Sequence, residues 1–108
     1  MTNSKWIAVS ASDDLPEGTA WPASIDGKAI CLYRVDSKVY ATSDFCTHGD
    51  ANLSGGLLEG HEIECPFHQG RFDIRTGEAT KEPCVEPVRV YRAREEDGTI
   101  YVEAGDEA

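Results

Sequence analysis

Two short stretches of this 108-residue chain hold side chains suited to metals: Cys46-Thr47-His48 and Cys65-Pro66-Phe67-His68. Sixteen residues separate His48 from Cys65. Each stretch offers one thiolate and one imidazole from a tight loop, so two such loops brought together supply two sulfurs and two nitrogens. Two kinds of centre accept that set. Zinc takes Cys₂His₂ in a closed tetrahedral site. A [2Fe–2S] cluster takes two cysteines on one iron and two histidines on the other. Zinc fingers usually pair Cys with Cys and His with His, whereas here each loop contributes one of each. That division suits two irons, with each loop giving its Cys to the inner iron and its His to the outer. Gly49, Gly55, Gly56 and Gly70 flank the motifs and permit close backbone approach, so that N–H groups can donate to bridging sulfides.

The elements that must position these loops are strands. Lys5–Val9, Ala20–Ile25, Ala29–Tyr33, Lys38–Thr42, His61–Glu64 and Arg71–Ile74 are short apolar or alternating runs. Leu57-Leu58 lies across a turn at Glu59-Gly60 from the run at His61. Asp26-Gly27 is a strong hairpin signal, and Asp36-Ser37 and Thr76-Gly77 mark further turns. At the C-terminal end, Val88–Tyr91 and Thr99–Val102 alternate and are expected to pair through Glu95–Gly98. No segment has a 3.6-residue apolar period, and Asp13–Gly18 has room for one helical turn at most. The expected class is all-β: a small antiparallel sandwich or barrel in a single domain, residues 1–108. Residues from about 44 to 82 carry all three histidines. They are read as an inserted cluster-binding subdomain of two loops over a small sheet.

Composition narrows the partners. The net charge is −10, from 20 acidic and 10 basic residues, which argues against nucleic acid and anionic membrane surfaces. It suits partners that present basic patches. No apolar run approaches the roughly 20 residues that span a bilayer. Met1–Trp6 lacks the apolar stretch of a signal peptide, so a cytoplasmic, reducing location is expected. There, four cysteines (Cys31, Cys46, Cys65 and Cys84) favour metal ligation over disulfides.

Cys-x-His, sixteen residues, then Cys-x-x-His resembles the Rieske signature. The stretches Cys46-Thr47-His48-Gly49 and Cys65–Asp73 resemble the Rieske ferredoxins of bacterial aromatic-ring-hydroxylating dioxygenases, and the likeness covers nearly the whole chain. It implies one Rieske [2Fe–2S] cluster, with Cys46 and Cys65 on the buried iron. His48 and His68 would bind the outer iron near the surface through the ring nitrogen nearest the backbone. It implies an electron carrier and not an enzyme, taking one electron at a time from a flavin-dependent ferredoxin reductase to the terminal oxygenase. A small Rieske-like subunit of an assimilatory nitrite reductase, or a structural zinc module, is the alternative. Respiratory-chain Rieske proteins add a disulfide between the loops, and a Ser and a Tyr whose hydroxyls donate to cluster sulfurs. Here Ala51 and Phe67 stand at the disulfide positions, and Gly70 and Phe72 at the hydroxyl positions. The expected potential therefore lies low in the Rieske range, roughly −150 mV.

The remaining candidates have plainer readings. Cys31 is expected in the core, Cys84 in loop packing, and His61 on the surface. Trp6, Trp21, Tyr40 and Tyr91 are core or rim aromatics. Pro66 and Phe67 would shield the cluster from water. Asp44, Asp50, Glu59, Glu62, Glu64, Asp73 and Glu78 are read as an acidic docking collar.

Overall fold

Strand β3 (Lys28–Val35) is the wall on which the molecule is built. In the computed structural model, which describes residues 5–47, 51–66, 69–82 and 84–104, both of its faces are covered. Side chains alternate across a strand, so Ile30 and Leu32 enter one core while Cys31, Tyr33 and Val35 enter another. This double burial is why the segment reads as an unbroken apolar run.

Strands β2 (Ala20–Ile25), β4 (Lys38–Ser43) and β9 (Val90–Tyr91) complete its antiparallel sheet in the order β2-β3-β4-β9. The two hairpins on β3 turn through residues with positive φ: Asp26 and Gly27 at 50° and 79°, Asp36 and Ser37 at 52° and 67°. Positive φ at both central residues matches the twist of the flanking strands. The Glu17 carboxylate steadies the glycine-free turn by accepting from the N–H groups of Asp36 (2.7 Å) and Ser37 (2.9 Å).

On one side lies the sheet β1-β11-β10, made of Trp6–Ala11, Thr99–Glu103 and Ala93–Glu96. Leu15, Ile25, Ile30, Leu32, Ala41, Ile100 and Val102 fill the space between. Arg34 also ties the two sheets together. Its Nε donates to the Leu15 carbonyl at 2.6 Å, and its two terminal nitrogens fork onto Glu95 at 3.0 and 2.7 Å. The fork pulls the Glu95 carboxyl down to about 2.

On the other side lies a sheet of three-residue strands: β5 (Leu57–Glu59), β6 (Glu62–Glu64), β7 (Arg71–Asp73) and β8 (Ala79–Lys81). Leu53, Ile63, Phe72, Ile74 and Val88 pack there against the Cys31, Tyr33 and Val35 face, and Cys46, Cys65 and Cys84 join the same cluster.

The all-β expectation holds: among the described residues the only helical pieces are single 3₁₀ turns at Ser12–Asp14 and Leu53–Gly55. Among the described residues no helix is long and apolar enough to cross a membrane. One pairing differs from the sequence reading. The partner of β11 in the C-terminal hairpin is Ala93–Glu96, turning at Asp97-Gly98, while Val90-Tyr91 pairs with Ala41-Thr42 in the central sheet. The chain changes sheets at Arg92, and alternation does not register that step because both sides of it look like strand. Strand β8 is absent from the sequence reading because Ala79-Thr80-Lys81 has one small apolar residue and no pattern.

Candidate metal centre

The two motif loops are closed in the same way. Cys46 N–H donates to the Ala51 carbonyl at 3.0 Å, and Cys65 N–H to the Gly70 carbonyl at 2.7 Å; in both, the acceptor lies five residues on. The residues just outside also pair equivalently, Phe45 with Asn52 and Glu64 with Arg71. Each cysteine thus opens a hairpin loop of one length. Both are buried, Cys46 at 5% and Cys65 at 1% exposure, while Thr47, Pro66 and Gln69 further along the loops are exposed. Each loop therefore runs from a buried sulfur to the surface. His48 and His68 lie outside the described residues, as do Gly49, Asp50 and Phe67.

Asp44 holds the first loop. Its carboxylate, 1% exposed, accepts from Ser54 N–H (2.7 Å), Ser54 Oγ (3.0 Å) and Asn52 Nδ2 (3.1 Å). Its backbone N–H donates to the Ala29 carbonyl, and its carbonyl accepts from Leu53 N–H at 2.7 Å. Three donors converge on a carboxylate that water does not reach, which satisfies a group otherwise costly to bury. The second loop needs no such clamp because β6 and β7 carry it. Within it Gln69 N–H donates to the Cys65 carbonyl at 3.1 Å, and Gln69 takes φ 62°.

A third stretch, residues 84–88, completes the site. Cys84 Sγ lies 3.8 Å from Cys46 Sγ. Thr47 Oγ1 donates to the Glu86 carbonyl at 2.8 Å, and Val88 N–H donates to the Gly77 carbonyl at 2.8 Å. Burial first, then contact with Cys46, pushes the Cys84 thiol up to about 12. The sequence reading described two loops and left Cys84 to packing. A Cys between Pro83 and Val85 carries no motif, and only the fold returns it to Cys46.

The flanking glycines divide by role. A Cβ on Gly70 would strike Cys84 Sγ and sit 2.8 Å from Cys84 N, and one on Gly56 would strike the Glu64 carbonyl. Close approach is real at both, but Gly55 faces open space. Cys31 is in the core as expected, its thiol pushed up to about 12 by burial.

Two other expectations change. His61 is half-buried, its ring edge-on to Tyr40 at 5.7 Å, and its carbonyl accepts from Ile74 N–H. The acidic collar is largely tied up within the chain. Asp44 is buried. Arg71 reaches Glu59 (2.8 Å), Glu64 (2.8 Å) and Glu62 (3.3 Å), and Arg75 holds Asp73 at 2.9 Å. Glu78 is exposed, and Asp50 lies outside the described residues. The strands bring Arg71 opposite Glu64 in register, with Glu62 two residues along on the same face of that strand, which a count of charges along the chain does not foresee.

The donor chemistry fits an iron–sulfur cluster. Two buried thiols stand at matching positions in matching loops, all four cysteines are free of disulfides, and thiolate is the soft donor such clusters require. Among the described residues alone no set of three or more metal-binding side chains assembles, since both motif histidines fall outside them.

Comparison with known proteins agrees with this chemistry. The family model for the Rieske [2Fe-2S] domain matches residues 5–92. The ferredoxin component of the naphthalene 1,2-dioxygenase/salicylate 5-hydroxylase systems of Ralstonia sp is 47% identical over 97 residues, covering 90% of this chain and 93% of that one. Among solved structures, the ferredoxin of carbazole 1,9a-dioxygenase from Nocardioides aromaticivorans IC177 superposes with a TM-score of 0.87 at 39% identity, covering 91% and 96% of the two chains. A complex of reduced oxygenase and oxidized ferredoxin in carbazole 1,9a-dioxygenase matches with a TM-score of 0.84 at 42% identity, covering 90% and 91%. The chain belongs to the Rieske [2Fe–2S] domain family, and its cofactor is a Rieske-type [2Fe–2S] cluster. Its similar relatives are ferredoxin components, carriers rather than catalytic subunits.

Proposed function

We propose that this chain is a cytoplasmic ferredoxin that passes single electrons from a flavin-dependent ferredoxin reductase to the terminal oxygenase of an aromatic-ring dioxygenase. Cys46, His48, Cys65 and His68 hold the cluster, within a subdomain of about 44–82 of a single Rieske unit. The observation that carries this reading is the pair of equally closed loops, each with a buried cysteine at its first position and an exposed residue directly after it.

The residues divide the work by depth. Cys46 and Cys65 bind on the inside, where the core keeps water from the thiolates. His48 and His68, next in sequence to exposed Thr47 and Gln69, take the outer iron in this reading. When bound, the cluster accepts and releases one electron at a time. The loop hydrogen bonds and the Asp44 clamp hold the ligands in place so that little rearranges on electron transfer. Next to the buried cysteines lie Phe45, 57% exposed, and Val85, 72% exposed, beside Cys84. They offer apolar contact to a docking protein, which supports short-range docking over the cluster.

The test is reconstitution. Purified protein should contain about two irons and two sulfides per chain and show a potential near −150 mV. With a flavin reductase and NADH it should support turnover by an aromatic-ring oxygenase. Equimolar zinc and no visible absorption in anaerobically isolated protein would refute the reading.

A further inference from the structure

Cys84 is the one thiol at the site that neither motif contains. It is 3% exposed, and its sulfur lies against both motif loops: Cys46 Sγ at 3.8 Å, and the space beside Gly70, where any Cβ would collide with it. The stretch that carries it is fixed independently by the Thr47–Glu86 and Val88–Gly77 hydrogen bonds. Cys84 therefore fills the volume that a side chain at position 70 would need. A serine there would also meet the Cys84 backbone nitrogen at 2.8 Å, so a hydroxyl donor cannot be seated from that position without moving the third stretch.

We propose that Cys84 donates an S–H···S hydrogen bond to the Cys46 thiolate and so acts as a positioning residue that raises the cluster's reduction potential. This rests on Cys46 being an iron ligand. A metal-bound Cys46 has no proton to give, so Cys84 is the donor of the pair. Donation draws electron density from the ligand sulfur. The reduced cluster carries one more negative charge than the oxidised one, so the bond stabilises it more.

Voltammetry of the holoprotein tests this with Cys84→Ala and Cys84→Val, which remove the donor, and Cys84→Ser, which keeps one. Both apolar variants should lower the potential, shifting the reduction equilibrium roughly threefold, about 30 mV for one electron. The serine variant should stay closer to wild type. In D₂O the iron–sulfur resonance Raman bands of wild type should shift more than those of Cys84→Val, an effect that packing alone does not produce. Water entering the vacated space acts upward, so a fall in both apolar variants is the loss of the donor; an unchanged or higher potential in both, including Cys84→Val, which fills the space, would overturn the proposal. So would an equal shift in all three variants. If Cys46→Ser keeps its full iron content, the ligand assignment itself fails. If that variant loses iron while position 84 leaves the potential flat, only the role of Cys84 fails.

Discussion

The two sides of β3 are stabilised by different means. The side shared with β1-β11-β10 is held by aliphatic side chains on strands of four to eight residues and by the Arg34–Glu95 fork. The cluster side has three-residue strands, and its core mixes Leu53, Ile63, Phe72 and Ile74 with four cysteines. Its loops are fixed by backbone hydrogen bonds, a buried carboxylate and glycines that admit neighbouring chain. Apolar burial is non-directional and tolerates small shifts, whereas hydrogen-bonded loops fix position to a fraction of an ångström. The scaffold supplies stability and the loops supply placement. A bound cluster then adds its own binding energy to the weaker side, as metal sites do in small domains.

The contrast can be broken most sharply at the ligands. Cys46→Ser or Cys65→Ser should reduce iron content at least tenfold. Hydrogen exchange should then rise across Leu57–Lys81 while β3 and β11 stay protected. Uniform loss of protection would show that the two sides fold only together.

Next in size is the scaffold core. Leu32→Ala, at a fully buried position, should cost about 2–5 kcal/mol in denaturant unfolding. It should leave the potential unchanged, because Leu32 faces away from the cluster. A shifted potential would mean that the two sides are mechanically coupled through β3.

Asp44→Ala should cost about 2–3 kcal/mol by leaving the Ser54 N–H and the Asn52 amide without their acceptor. Unlike Leu32→Ala it should also speed cluster loss, followed as bleaching of the visible absorption. Bleaching at the wild-type rate would remove Asp44 from the placement of the first loop.

The Arg34–Glu95 fork should matter less, about 1 kcal/mol after solvent screening. The Glu95 carboxyl lies at about 2 in the folded protein against an ordinary 4.5. Its stabilisation is therefore complete above about pH 4.5 and disappears as pH falls through about 2. Unfolding of wild type and Glu95→Gln should differ at pH 7 and converge in acid; a gap independent of pH would assign the effect to packing.

The smallest effect concerns docking. Reduction by the reductase should slow as salt rises, because the −10 charge steers a basic partner. With Glu59, Glu62 and Glu64 held by Arg71, reversal at Asp50 should slow it more than reversal at Asp13. Equal slowing in stopped-flow traces would leave only the global charge.

Alternation, turn chemistry and motif spacing are local properties. They were enough to mark the all-β class, the hairpins at Asp26-Gly27 and Asp36-Ser37, and the four candidate ligands Cys46, His48, Cys65 and His68. The φ values at those turns follow from the same local signals. What depends on distant segments meeting was not legible. The change of sheet at Arg92, the burial of Asp44 under Ser54, the gathering of Glu59, Glu62 and Glu64 onto Arg71, and the return of Cys84 to Cys46 are all of this kind. The physical reason is that a carboxylate or a thiol looks the same in sequence whether water or another loop surrounds it. Only packing decides which, and at Gly70 it decided by leaving room for a sulfur and none for a side chain.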